Sequence, residues 1–197
     1  MLCLAAAATA APLDNDSIKT AVAAWLSDSA AAEVTYGHIT SWDTSQVTDM
    51  SSLFCAHHSL SSCNTAALSF NEDIGTWDTS GVTSMYAMFG SNEGFNRDLS
   101  DWAVDSVTDM SYMFSYARSF NQDLGWCVDD GANLDYAFSS TLCESTSCGV
   151  TQGGCASWFG SDAAPKTQFT SFGALLGAAA LSESHSSTAV LMVLSVM

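Results

Sequence analysis

Trp102-Ala-Val-Asp-Ser-Val107-Thr-Asp-Met110-Ser-Tyr-Met113-Phe114, followed by Phe120-Asn121-Gln122-Asp123-Leu124, decides how this chain is read. Its apolar and amide residues recur at a spacing of 25: Trp77, Val82, Met85, Met88, Phe89, Phe95, Asn96 and Asp98 stand that far before Trp102, Val107, Met110, Met113, Phe114, Phe120, Asn121 and Asp123. A fixed period of this length is the signature of units that bury their apolar faces against one another. An earlier copy, Trp42 to Ile74, is longer by ten residues. The whole excess lies between Phe54 and Phe70, where Cys55, His57, His58 and Cys63 fall. A fourth copy starts at Trp126, keeps Leu134 and Phe138, and then gives way to a cysteine-rich segment.

Each copy holds two patterns. Val107, Met110, Met113 and Phe114 have helical spacing, and Thr48, Thr83 and Thr108 stand where an N-cap hydroxyl would take an orphan amide, so a short helix is expected there. Ser119 to Leu124 is too brief for a helix and reads as a short buried strand with a bend near the Asn. A single 25-residue copy cannot bury enough apolar area to hold itself, so copies must lean on one another. Before them, Ile18, Val22, Trp25 and Leu26 form one face of a helix that starts at Asp14, Asn15 or Asp16. The expected fold is an α/β leucine-rich-repeat-like solenoid with parallel strands. Its expected divisions are a signal-like segment at 1–11, an N-terminal helical cap at 12–36, solenoid repeats at 37–125, an atypical last coil with a Cys-rich cap at 126–160, and a flexible tail with an apolar end at 161–197.

Composition limits the function classes. With 48% hydrophobic residues the chain is no disordered acidic tail. Its 21 acidic residues against 4 Lys plus Arg give a formal charge of −17, and Lys19, Arg97, Arg118 and Lys166 form no basic stripe, so nucleic acid is an expected non-partner. Seven Cys fall at 3, 55, 63, 127, 143, 148 and 155. Residues 1–11 resemble the apolar core of a secretory signal with Ala8-Thr9-Ala10 as its cleavage site, although a basic start is missing. Cleavage there would leave Cys55, Cys63, Cys127, Cys143, Cys148 and Cys155, which read as three disulfides in an oxidising compartment, the last four with three open connectivities. Asn15-Asp16-Ser17 is a glycosylation sequon. The apolar runs after residue 171 are too short to span a bilayer, and a lipid-anchor signal is a weak alternative to a plain tail.

The phrases Trp-Asp-Thr-Ser-x-Val-Thr-x-Met-x-x-Met/Leu-Phe and Ser/Gly-Phe-Asn-x-Asp-Leu/Ile resemble the roughly 26-residue repeat of the BspA-like leucine-rich-repeat surface proteins. The likeness runs from about Tyr36 to Phe138. It implies a secreted or surface-displayed protein used in adhesion or protein recognition. The ending Trp126-Cys127-Val-Asp-Asp with Cys143-Glu-Ser-Thr-Ser-Cys148-Gly is similar to the closing segment of secreted eukaryotic microbial members. Two departures set this chain apart: only three full copies are present, and a ten-residue insert interrupts the first of them.

Chemistry-bearing residues read mostly as scaffold. Asn71, Asn96 and Asn121 are expected to form a ladder that satisfies backbone groups. Asp73, Asp98 and Asp123 form a parallel column whose carboxylates need amide or hydroxyl donors, or calcium. An acid that recurs in every copy is scaffold rather than a glycosidase pair, so no enzyme is expected. Cys55, His57, His58 and Cys63 have the donors of a zinc site, but a disulfide with two exposed His is the preferred reading. No cofactor is expected. The variable positions Tyr86, Tyr112, Tyr116, Arg97, Gln122 and Arg118 are the candidate contact patch for a protein or surface glycan ligand. A cation-dependent structural module is the alternative.

Overall fold

The computed structural model describes residues 11–155. Most of the signal-like segment with Cys3, the end of the 126–160 segment and the whole 161–197 tail lie outside the described residues. The chain opens with α1 (Asn15–Ser27) and α2 (Ser29–Tyr36). Asp14 starts α1 by accepting the amides of Asp16 and Ser17, while the Ser17 hydroxyl accepts the Asp14 amide in return. Asp28 ends α1 in an extended conformation and starts α2 by accepting the Ala31 amide. One polar residue therefore splits the helical segment into two. Ile18, Val22 and Trp25 of α1 are buried.

Beyond the helices the architecture is not the expected leucine-rich-repeat-like solenoid. The copies contain neither the short helix after each Thr nor the strand after each Phe. Among the described residues the sheet is a single two-stranded one, β1 (Cys127–Val128) running parallel to β2 (Thr151–Gln152). Asp49, Ser84, Asp109 and Asn133 add only isolated parallel bridges. The remaining short elements are 3₁₀ turns at Ile39–Ser41, Thr65–Ser69 and Glu144–Gly149.

The reason lies in backbone dihedrals at one recurrent position. Ser52, Ala87, Tyr112 and Tyr136, each two residues after the Met or Leu of its copy, have φ between 49° and 60°. Ser91, Tyr116 and Ser140 repeat this four residues later. A left-handed residue inside the expected helix ends the i to i−4 pattern, and its neighbours cannot stay extended either. What forms is a run of tight turns, such as Met113 N–H to Met110 O and Ser115 N–H to Tyr112 O.

The intervening amides leave the turns and bind the next copy. Met50, Ser52, Phe54 and Ala56 donate to the carbonyls of Ser84, Tyr86, Met88 and Gly90. Met85, Ala87, Phe89 and Ser91 donate likewise to Asp109, Ser111, Met113 and Ser115, and Met110, Tyr112, Phe114 and Tyr116 to Asn133, Asp135, Ala137 and Ser139. All these N···O distances are 2.7–2.9 Å. Every second peptide group thus points its C=O back toward the preceding copy and its N–H toward the following one. One column runs the other way, from the amides of Thr83, Thr108 and Asn133 to the carbonyls of Thr48, Thr83 and Thr108, and Gly94 likewise donates back to Leu68.

One apolar core underlies the ladder. The rings of Phe54, Phe89, Phe114 and Phe138 succeed one another at 5.5, 5.2 and 5.9 Å, and within a copy Phe89 lies face to face with Phe95 at 4.0 Å. Aromatics of neighbouring copies therefore share one interior. Four buried Trp have their indole N–H satisfied: Trp42 donates to the Gly37 carbonyl, and Trp77, Trp102 and Trp126 to those of Ile39, Ile74 and Leu99. Gly94 is required by close approach, because a Cβ there would sit 2.9 Å from the Ser69 Cα.

The first copy lacks a predecessor, and α1 partly replaces it. The Asn15 side-chain oxygen accepts the amides of Thr48 and Asp49, and its NH₂ donates to the Thr48 hydroxyl. The amide of the expected sequon is thus used in the fold. At the other end Cys143–Cys148 and Cys127–Cys155 close the last copy, and Cys55–Cys63 closes the insert. Leu142 and Leu124 donate their amides to Phe120 and Cys148 carbonyls, so this cap covers the half of the third copy for which the fourth has no counterpart.

Candidate functional site

Tyrosines form an exposed row along the copies. Tyr86 and Tyr112 meet edge to face at 6.1 Å, and Tyr112 stacks on Tyr136 at 5.1 Å with 19° between planes. Tyr112, Tyr116 and Tyr136 are 41%, 51% and 62% exposed. All three have positive φ, at 59°, 61° and 56°. In the first two copies the corresponding left-handed positions carry the small residues Ser52, Ala87 and Ser91. A bulky side chain in this region costs on the order of 1–2 kcal/mol, and these rings recover none of it by entering the core. Tyr136 belongs to the row although it was not among the sequence candidates. The third copy is one residue short between Leu124 and Trp126, so aligning Leu134 with Met110 at a spacing of 24 would have shown it.

Tyr116, Arg97, Gln122 and Arg118 do not join that row through any described contact. The Arg97 Nε donates to the Asn71 carbonyl at 2.7 Å, and the Gln122 amide donates to Asn96 Oδ1 at 2.7 Å. Arg118 pairs with Glu93 at 3.5 Å, both largely exposed. Asn71 and Asn96 accept the backbone amides of Asn96 and Asn121, each at 2.9 Å, so this column links copies through side-chain oxygens. Asp73 and Asp98 each accept the amide two residues on, from Gly75 and Ser100. A Cβ on Gly149 would collide with the Asp123 carboxylate, which is therefore packed under the C-terminal cap. Cys55 and Cys63 are joined to each other, and His57 and His58 stack at 5.1 Å in the loop they close.

A cleft of about 440 Å³ opens where α1 meets the first copy. Lys19, Val22, Ala23 and Leu26 form its helical wall, Ser51, Ser52 and Leu53 its floor. Ser62 and Asn64 of the insert and the ring of Tyr86 close the sides, so the cleft adjoins the tyrosine row. Lys19 Nζ lies 3.1 Å from Asp49 Oδ2 at its margin. Partial burial raises the Asp49 carboxyl, but the Ser51 hydrogen bonds and Lys19 outweigh it and leave the group below its ordinary pKa. Asp98 is lowered by the Ser100 amide and hydroxyl, and Asp43 by the Ser45 hydroxyl and amide.

These features define a class first: an acidic, disulfide-closed chain of turn-built copies with an aromatic row on its surface, in which the described residues gather no group of three or more His, Cys, Asp or Glu fit to hold a metal ion. The chain belongs to the family described as "Mycoplasma protein of unknown function, DUF285", whose model matches residues 26–147. That stretch runs from the end of α1 into the C-terminal cap. No curated protein and no solved structure matches the chain.

Proposed function

We propose that the protein is a non-catalytic recognition module, secreted or displayed on a cell surface, that contacts a protein ligand through Tyr86, Tyr112, Tyr116 and Tyr136. The single observation behind this reading is the placement of exposed Tyr112, Tyr116 and Tyr136 at left-handed positions, where they cost stability and pack into no core, with Tyr86 extending the row through its contact with Tyr112. Tyr is a favoured interface anchor because it brings large area and a phenolic hydroxyl at low entropy cost. A protein surface suits the row better than a glycan. Tyr112 and Tyr136 lie face to face, so they present edges and hydroxyls rather than open ring faces for a sugar to lie on. Three disulfides favour an oxidising compartment, which agrees with a secreted or surface location. The resemblance of the Trp-Asp-Thr-Ser phrases to BspA-like surface proteins leans the same way.

The test is a panel of purified extracellular proteins and glycans probed with the full chain and with a Tyr112→Ala, Tyr116→Ala, Tyr136→Ala variant. A protein hit that the variant loses by about tenfold or more supports the reading. Hits that the variant retains, or hits confined to glycans, refute it.

A further inference from the structure

Among the described residues no disulfide joins one copy to the next. Cys55–Cys63 closes the insert of the first copy, and Cys127–Cys155 and Cys143–Cys148 lie within the last copy and its cap. Adjacent copies are held to each other by hydrogen bonds and packing. The tyrosine row crosses the same boundaries. Tyr112 of the third copy and Tyr136 of the fourth lie 5.1 Å apart with 19° between ring planes, and both are exposed. The backbone fixes this pairing, because the Tyr112 amide donates to the carbonyl of Asp135, one residue before Tyr136, at 2.9 Å. Tyr86 meets Tyr112 only edge to face at 6.1 Å and is the least exposed ring of the row.

The surroundings direct one-electron oxidation to these rings. The described Cys are all in disulfides, so none of them can return a hydrogen atom to a phenoxyl radical. The sulfurs of Met50, Met85, Met88, Met110 and Met113 are in the core, and the described Trp rings are buried. We propose that Tyr112 and Tyr136 are a site of oxidative cross-linking, at which a haem peroxidase using hydrogen peroxide joins them into a dityrosine that staples the third copy to the fourth. Each phenol gives up one electron and one proton. The two radicals couple through the ring carbons beside the hydroxyls, and the hydrogens on those carbons shift to the oxygens and restore both phenols. One peroxide takes up the two electrons and two protons and leaves as two waters. Exposed rings have room to turn from face to face into the edge-joined product. The link spans 24 residues, close to the separation of 28 at Cys127–Cys155, and unlike that bond it withstands thiols. It goes beyond the recognition reading, since it needs no ligand.

The test treats the dilute full chain with a haem peroxidase and hydrogen peroxide and reads the product by mass spectrometry. A monomer lighter by two hydrogen atoms is expected. Trypsin assigns the link, because Arg97 and Arg118 divide the tyrosines: Tyr86 falls in fragment 20–97, Tyr112 and Tyr116 in 98–118, and Tyr136 in 119–166. None of the three disulfides connects these fragments. Fragments 98–118 and 119–166 should emerge as one species that survives thiol reduction. Tyr112→Phe and Tyr136→Phe each abolish that species, whereas Tyr86→Phe and Tyr116→Phe retain it. The linked chain should melt about 5 °C or more above the untreated one, and treated Tyr136→Phe should show no such rise. Covalent dimers in place of the linked monomer, joined fragments that Tyr116→Phe removes or that persist in Tyr136→Phe, or no loss of hydrogen overturns the proposal. So does a melting temperature that the link leaves unchanged. No ligand is present in this assay, so its failure leaves the recognition reading standing.

Discussion

The left-handed tyrosines carry the main tension at the scale of single residues. Tyr116 donates its amide to Ser139, a bond that any residue able to hold φ near 61° retains. Asn tolerates this region far better than Tyr. Tyr116→Asn is therefore expected to raise unfolding free energy by about 0.5–1 kcal/mol in urea titration while weakening ligand binding. A loss of stability would mean that the ring supports the fold and is scaffold rather than a binding group. Asn15 is the opposite case, a half-buried amide on which two backbone groups depend. Asn15→Ala leaves the Thr48 and Asp49 amides without acceptors and is expected to cost about 1–2 kcal/mol. A glycan on Asn15 would displace the same contacts, so mass spectrometry of the protein expressed through a secretory pathway should find this sequon unmodified.

Among elements, the three closures differ in the length of chain they constrain. Cys127–Cys155 spans a sequence separation of 28 and Cys143–Cys148 one of 5. Loop entropy assigns the longer about 3–4 kcal/mol and the shorter about 2. Thermal melts of the paired Ser variants should follow that order, with the Cys127/Cys155 variant melting lowest. The ordering also has a packing reason. Cys127–Cys155 holds β2 against β1, where Thr151 and Gly153 donate to Trp126 and Val128 carbonyls. Releasing it uncovers the end of the core at Trp126 and Val128, both buried.

For the whole molecule, charge and titration set the limits. Asp14, Asp43, Asp49 and Asp98 are all lowered, chiefly through nearby Ser amides and hydroxyls, and at Asp49 against the opposing effect of partial burial. A carboxyl lowered in the folded state contributes stability that is complete above its ordinary pKa and is lost as pH falls through the folded value. Urea midpoints should therefore hold steady as pH falls from neutrality toward about 4 and decline below it. A decline beginning near pH 6 would point to groups other than these carboxylates. The formal charge of −17 adds a salt dependence, so basic probes should bind less tightly as ionic strength rises.

The 25-residue period was legible because burial repeats: the same Trp, Met and Phe must fill the same interior in each copy, and local composition records that requirement. The Asn column was legible for a related reason, since a recurrent amide must find recurrent partners. The helix and strand expected inside each copy were not formed, because periodicity of three and four fits a run of tight turns as well as a helix. Only backbone dihedrals distinguish them, and Ser52, Ala87, Tyr112 and Tyr136 share no residue type that announces a left-handed conformation. Disulfide pairing and the membership of Tyr136 in the aromatic row likewise depend on positions far apart in the chain. The sequence by itself determined which residues go inside and how often. The tertiary structure alone decided which way each peptide group points, because a hydrogen bond between copies is chosen by geometry across the fold and leaves no trace in local composition.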